Sequence, residues 1–267
     1  MRAFALFLCL ITLIGCEGSA ANFLRSAPSF YPTAQQNYEY GLKELKSTNW
    51  LTAIQYFQHV KSNFGFSKWA TLSELGVADA NIGREKFTEA IDGYKQFMKA
   101  PPSHEHVLDG YAAYKIGEAY HNQIPSDWFL TPPSYEKDQG PVLDALRELT
   151  AFADAYGDSP YAAKARKLIG DCVKRLADHE LYVARFYLDR DKPYAAVGRL
   201  EGLIKDYPGA QREAETLMLL GKTYLKMEQR DRAREIFNKL ASEYPEDYRA
   251  GKARLYIQFI DKQKPKS

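Results

Sequence analysis

The stretch HELYVARFYLDRDKPYAAVGRLEGLIKDYP, from His179 to Pro208, holds two amphipathic segments separated by one break at Asp191-Lys192-Pro193. Before the break Leu181, Ala184 and Leu188 fall at helical spacing, and after it Ala196, Leu200, Leu203 and Tyr207 do the same. Each helix then carries one apolar stripe that it cannot bury alone. With small Ala184 facing small Ala196, the two backbones can approach closely, so the stretch reads as a helical hairpin. Tyr207-Pro208-Gly209 stops its second helix.

The spacing recurs. Gly221, Tyr224, Ala233, Phe237, Leu240 and Pro245 repeat it downstream, in the order small, aromatic, Ala, aromatic, Leu and Pro of the tetratricopeptide repeat (TPR). Upstream it picks out Gly41, Ala53, Phe57 and Val60, then Ala78, Ala90, Tyr94 and Phe97, then Gly117, Tyr120, Ala145, Leu149 and Phe152. The expected fold is all-α, an α-α superhelix of about five TPR hairpins in which each repeat buries its face on its neighbours. Residues 34–158 carry repeats one to three. Residues 159–267 carry a long connecting helix from about Tyr161 to Arg190, repeats four and five, and a capping helix from Asp247 to Asp261. Ser159-Pro160 reads as the cap and first turn of the long helix. Ala53 to Ala90 and Ala196 to Ala233 are both 37 residues, above the roughly 34 of the plain repeat, and the surplus is expected in turns.

The third repeat is interrupted. Gly117 to Ala145 spans 28 residues against 12 from Gly41 to Ala53, which makes residues 121–141, HNQIPSDWFLTPPSYEKDQGP, an insertion. Its four prolines exclude continuous helix. Trp128 and Phe129 are costly to leave in water, so the loop either folds back on the array or offers these rings to a partner.

Composition describes an ordinary globular chain: 267 residues, 45% hydrophobic, 26% charged, net charge +2. Nothing in it forms the clustered positive face that nucleic acid needs. Residues 1–15 place Arg2 before an apolar run, Ala3 to Ile14, too short to span a bilayer comfortably, which is the shape of a secretory signal. Leu13-Ile14-Gly15-Cys16 resembles the lipobox of bacterial lipoproteins, which implies cleavage before Cys16 and its acylation; an ordinary signal with an incidental Cys is the alternative. Several acyl chains on Cys16 anchor stably where a single one is marginal. Residues 16–33 then read as a lipidated end and tether. Cys172, left without an internal partner, shares a helix face with Ala165, Leu168, Ile169 and Leu176 and is expected as a small buried apolar group, with no disulfide.

Repeat geometry puts Tyr38, Leu42, Lys46, Leu75, Asp79, Tyr111, Tyr114 and Glu118 on the concave side of the first three repeats. Such a lining suits an extended or helical peptide, with Lys46 placed to meet a carboxylate. Equally, several of these Tyr residues could pad the core between repeats. Catalysis has little to stand on. The five His, at 59, 104, 106, 121 and 179, form no metal helix motif, His104-Glu105-His106 sits at a proline turn, and no phosphate loop, nucleophile elbow or CxxC pair occurs. No metal and no cofactor beyond the covalent lipid on Cys16 is expected.

The lipobox, the five hairpins, the interrupted third repeat and, above all, the 179–208 stretch preceded by Ser159-Pro160-Tyr161 resemble the BamD family of lipoproteins in the outer-membrane β-barrel assembly machinery. The resemblance implies a periplasm-facing scaffold, lipid-anchored to the outer membrane. Its C-terminal repeats would dock on a POTRA domain of BamA, and its N-terminal groove would engage unfolded β-barrel proteins. Other lipoproteins of the machinery are further partners it leaves open. Within RLEG, Arg199 matches a family position associated with the BamA contact; it also departs from the apolar stripe and can reach outward, with Arg185 and Glu201 as neighbouring candidates. Another envelope TPR adaptor, a pilotin or cell-division coordinator, or a lipoprotein recruiting peptidoglycan hydrolases shares the lipobox or the repeats and stays open as a reading.

Overall fold

The computed structural model describes residues 28–99, 109–125 and 132–262. Among them eleven α-helices follow one another: α1 Ala34–Lys46, α2 Trp50–Asn63, α3 Lys68–Gly83, α4 Phe87–Phe97, α5 Tyr111–Asn122, α6 Gly140–Ala155, α7 Ala162–Asp189, α8 Pro193–Asp206, α9 Glu213–Lys226, α10 Arg230–Glu243 and α11 Tyr248–Lys262. Each packs on the next, giving five hairpins and a terminal helix. The signal segment, Cys16, His104 to His106, Trp128, Phe129 and the tail beyond 262 lie outside the described residues.

Four of the five hairpins turn in the same way. Thr48, Glu85, Asp191 and Glu228, each two residues past a helix end, adopt left-handed φ values of 58°, 58°, 54° and 60°. This lets the next N–H, on Asn49, Lys86, Lys192 and Gln229, return to the carbonyls of Glu44, Asn81, Tyr187 and Tyr224, every bond 2.9 Å long. The same four residues start the second helix: their carbonyls accept the N–H of Ala53, Ala90, Ala196 and Ala233 at 3.0 to 3.3 Å. The recurring alanine therefore stands at a fixed place in the first turn, fully buried in each case.

From that alanine, the residues four and seven positions on face inward in every repeat. Phe57 and Val60, Tyr94 and Phe97, Leu149 and Phe152, Leu200 and Leu203, and Phe237 and Leu240 are at most 2% exposed. Glycines make room for the largest of them. A Cβ at Gly41 or at Gly76 would come within 2.6 Å of the Phe57 ring, and one at Gly221 within 2.5 Å of the Phe237 ring. Helix α7 is the expected rod, 28 residues long. Cys172 is fully buried on it, its thiol pushed up to about 11 by burial.

Three expectations change. The surplus of the 37-residue spacing lies partly in helix: Tyr207 to Arg212 is a six-residue connector before a 14-residue α9, whereas only Phe64 to Ser67 precede a 16-residue α3. Ser159 does not cap α7. Its hydroxyl donates to the Asp109 carbonyl at 2.6 Å, tying the rod to the start of α5, and Pro160 and Tyr161 both precede the helix. The tether ends earlier than Thr33: the buried Asn37 amide holds the Tyr31 and Thr33 carbonyls at 2.7 and 2.8 Å and accepts the Tyr31 N–H at 2.9 Å. The described part of the insertion folds back, with His179 Nδ1 2.6 Å from the Tyr135 carbonyl and the Tyr135 and Tyr182 rings 5.5 Å apart.

Candidate partner-binding surfaces

Two surfaces gather the sequence-derived candidates. The first lies on the first helices of repeats one to three, where Asp79 is the central group. Its Oδ1 accepts the hydroxyls of Tyr94, from α4, and Tyr111, from α5, at 2.6 and 2.8 Å. Burial raises the Asp79 pKa, and the two hydroxyls oppose the shift. Glu118 is held differently, by the Tyr114 hydroxyl at 2.6 Å and Lys115 Nζ at 2.5 Å. Burial acts upward on its pKa too, but the hydrogen bonds from Lys115 and Tyr114 outweigh it, and the net shift is downward. Tyr38 is half-buried and close enough to Asp79 for both burial and that charge to raise its pKa.

Not all the predicted lining faces outward. Leu75 and Tyr114 are only 4% and 3% exposed and belong to the core between repeats. Tyr114 stacks on Tyr161 at 5.2 Å and meets Phe152 edge-on. Tyr38, Leu42, Asp79, Tyr111 and Glu118 keep partial access to solvent, and Lys46 is exposed in the last turn of α1. Tyr94 and Tyr161 complete the network without having been singled out for it. Both come from outside the three first helices, so repeat position alone could not assign them.

The second surface lies on repeat four. Arg199 is 46% exposed at its side chain, and a single nitrogen, Nη1, approaches both carboxylate oxygens of Glu180 on α7 at 3.3 Å. The pair lines an open furrow with Tyr187, Gly198, Gly202 and Tyr207. Arg185 and Glu201 do not join it. Arg185 pairs with Glu215 of α9 and lines a separate hollow with Asp178, Tyr182 and Arg212. At about 100° per residue, Arg185 and Glu180 stand on nearly opposite sides of α7. Glu201 accepts the hydroxyl of Tyr224, a buried residue of α9, and so ties α8 to α9.

Among the described residues no helix is long and apolar enough to cross a membrane, and no three His, Cys, Asp or Glu side chains gather as metal ligands do.

Comparison with known proteins gives a consistent set of relatives, each described as an outer membrane protein assembly factor BamD. The protein of Caulobacter vibrioides is 27% identical over 210 residues, covering 79% of this chain and 66% of its own length. That of Pasteurella multocida is 26% identical over 202 residues, with 74% and 76% covered, and that of Vibrio cholerae 26% identical over 222, with 81% and 88% covered. A solved structure described as the TPR2AB-domain:pHSP90-complex of yeast Sti1 aligns over 86% of this chain and 84% of its own at 15% identity, with a TM-score of 0.43. The family model for YfiO, described as outer membrane lipoprotein, matches residues 32–240. That match runs from the clamped lead-in into the second helix of the fifth hairpin, and the chain belongs to the YfiO family of outer membrane lipoproteins.

Proposed function

We propose that the chain is a non-catalytic scaffold for the assembly of β-barrel proteins, held at the outer membrane by acyl chains on Cys16 and facing the periplasm. The observation that carries the reading furthest is Arg199. Its guanidinium is exposed, lies beside an open furrow, and is held through one nitrogen at 3.3 Å rather than by a two-pronged pair. An exposed contact of that kind contributes at most about 1 kcal/mol. A partner carboxylate therefore displaces Glu180 at small cost, and Arg is well suited to anchoring an interface. The partner in this reading is a POTRA domain of BamA, as the family resemblance implies; the relatives are named as outer membrane protein assembly factors.

The aromatic and acidic concave face takes extended segments of unfolded barrel proteins, with rings supplying contact area and Asp79 and Glu118 accepting from main-chain N–H groups. Neither metal nor cofactor takes part. The test is a detergent-solubilised affinity purification with mass spectrometry, comparing the native chain with Arg199→Glu. A large POTRA-containing barrel protein that co-purifies with the first and is released from the second supports both function and contact. Recovery of pilus, septal or peptidoglycan-hydrolase components in its place overturns the assembly reading.

A further inference from the structure

Phe66 is fully exposed, at 111% of its reference area. It tips the connector between α2 and α3, and its surroundings set it apart from a stray surface Phe. From Lys61 to Trp69, KSNFGFSKW, there are two Lys and no acidic residue. Lys68 Nζ lies 4.8 Å over the Trp69 ring, and Lys61 is held by Glu74 at 3.5 Å through a half-exposed pair. An aromatic tip with aromatic and basic neighbours is the composition of segments that sit at a lipid interface.

The path of the N-terminal chain points to the same place. Phe30 stacks on His59 at 3.9 Å with 5° between the rings, and the Tyr56 hydroxyl donates to the Ser29 carbonyl at 3.3 Å. Pro28 and Phe30 share a cleft with His59, Ser62 and Asn63, at the end of α2 that leads into the Phe66 connector. From Pro28 back to Cys16 is twelve residue steps, which reach at most about 40 Å. A chain anchored through Cys16 thus holds this end of the array close to the bilayer. Confinement of that sort lets a weak contact form that free association could not maintain.

We infer that the α2–α3 connector is a second, non-covalent membrane contact, with Phe66 entering the boundary between headgroups and acyl chains and Lys61 and Lys68 at the phosphate level. The inference rests on the lipid anchor proposed above. Its consequence is orientation: the repeat-one end lies against the lipid.

The test separates the two readings. The chain from residue 16 onward is coupled through Cys16 to a maleimide lipid in phosphatidylethanolamine–phosphatidylglycerol vesicles; buried Cys172, with its raised pKa, is left unreacted. Phe66→Trp and Leu255→Trp, both at exposed positions, are compared with the parent using acyl chains brominated at known depths. We expect the fluorescence gained at position 66 to be largely quenched and that gained at position 255 to be unaffected. Unquenched emission at 66, or equal quenching at both positions, overturns the inference. So does emission at 66 that responds only to an added co-purifying protein, since protein and not lipid then covers the tip. Acylation of the natural chain at Cys16 is read separately by mass spectrometry, so the anchor and the contact can fail independently.

Discussion

The Phe57 ring fills the space that a side chain on Gly41 would need, with a Cβ there only 2.6 Å from ring Cε1, and Gly76 confines the ring equally closely from the next repeat. Ala is the better helix former by about 1 kcal/mol, yet Gly41→Ala is expected to destabilise the chain by about 1–3 kcal/mol because the ring has nowhere to go. Gly251→Ala on α11, where an added Cβ meets nothing within 4 Å, should be neutral or stabilising. Urea unfolding of the two variants checks the contrast.

Thr48 holds a left-handed φ of 58°, a conformation that is costly for a β-branched residue. Thr48→Gly relieves it and should stabilise by about 1 kcal/mol, the αL strain exceeding the added chain entropy. The readout is a higher melting temperature with an unchanged circular dichroism spectrum.

Asp79 gives a pH dependence of defined sign. Its folded pKa is raised, so the folded state binds more protons than the unfolded state between the usual carboxylate range and the raised value. Its contribution therefore favours folding at low pH and is lost as pH rises through that window. Asp79→Asn keeps an acceptor for Tyr94 and Tyr111 and removes the charge, so this part of the pH dependence should vanish with little loss at neutral pH. Asp79→Ala leaves the Tyr94 hydroxyl without its acceptor inside the fold and should cost about 1–3 kcal/mol. Melting curves for the three chains across pH 4 to 8 distinguish these outcomes.

Arg199 and Arg185 should separate in a binding assay. They line different hollows and pair with Glu180 and Glu215 respectively. Arg199→Glu brings a like charge against Glu180 and is expected to weaken partner capture at least about tenfold. Arg185→Glu should leave capture intact and lower the melting temperature instead, because it breaks the link between α7 and α9. Equal loss of capture from both variants would show that the partner spans both sides of α7.

What the sequence determined by itself was periodic and local. The alanines at 53, 90, 196 and 233, the inward pairs behind them and the long rod that stops before the Asp191-Lys192-Pro193 break are legible because helical spacing and turn chemistry act within a few residues. The positions are regular enough that one ruler served every repeat. The tertiary structure alone decided which faces stayed open. Asp79 and Tyr94 share the repeat-two hairpin, but Tyr111 and Tyr161 join them only through the stacking of repeats, which also buries Leu75 and Tyr114. Arg185 and Arg199 look like neighbours along the chain, but α7 packs one side on α8 and sends ion pairs from another to Arg212 and Glu215 at the start of α9, which puts the two arginines on different surfaces. The lead-in that reads as tether is fixed by Asn37, whose burial depends on the finished first hairpin. Contacts made between repeats depend on superhelical packing, and spacing within a repeat carries no information about it.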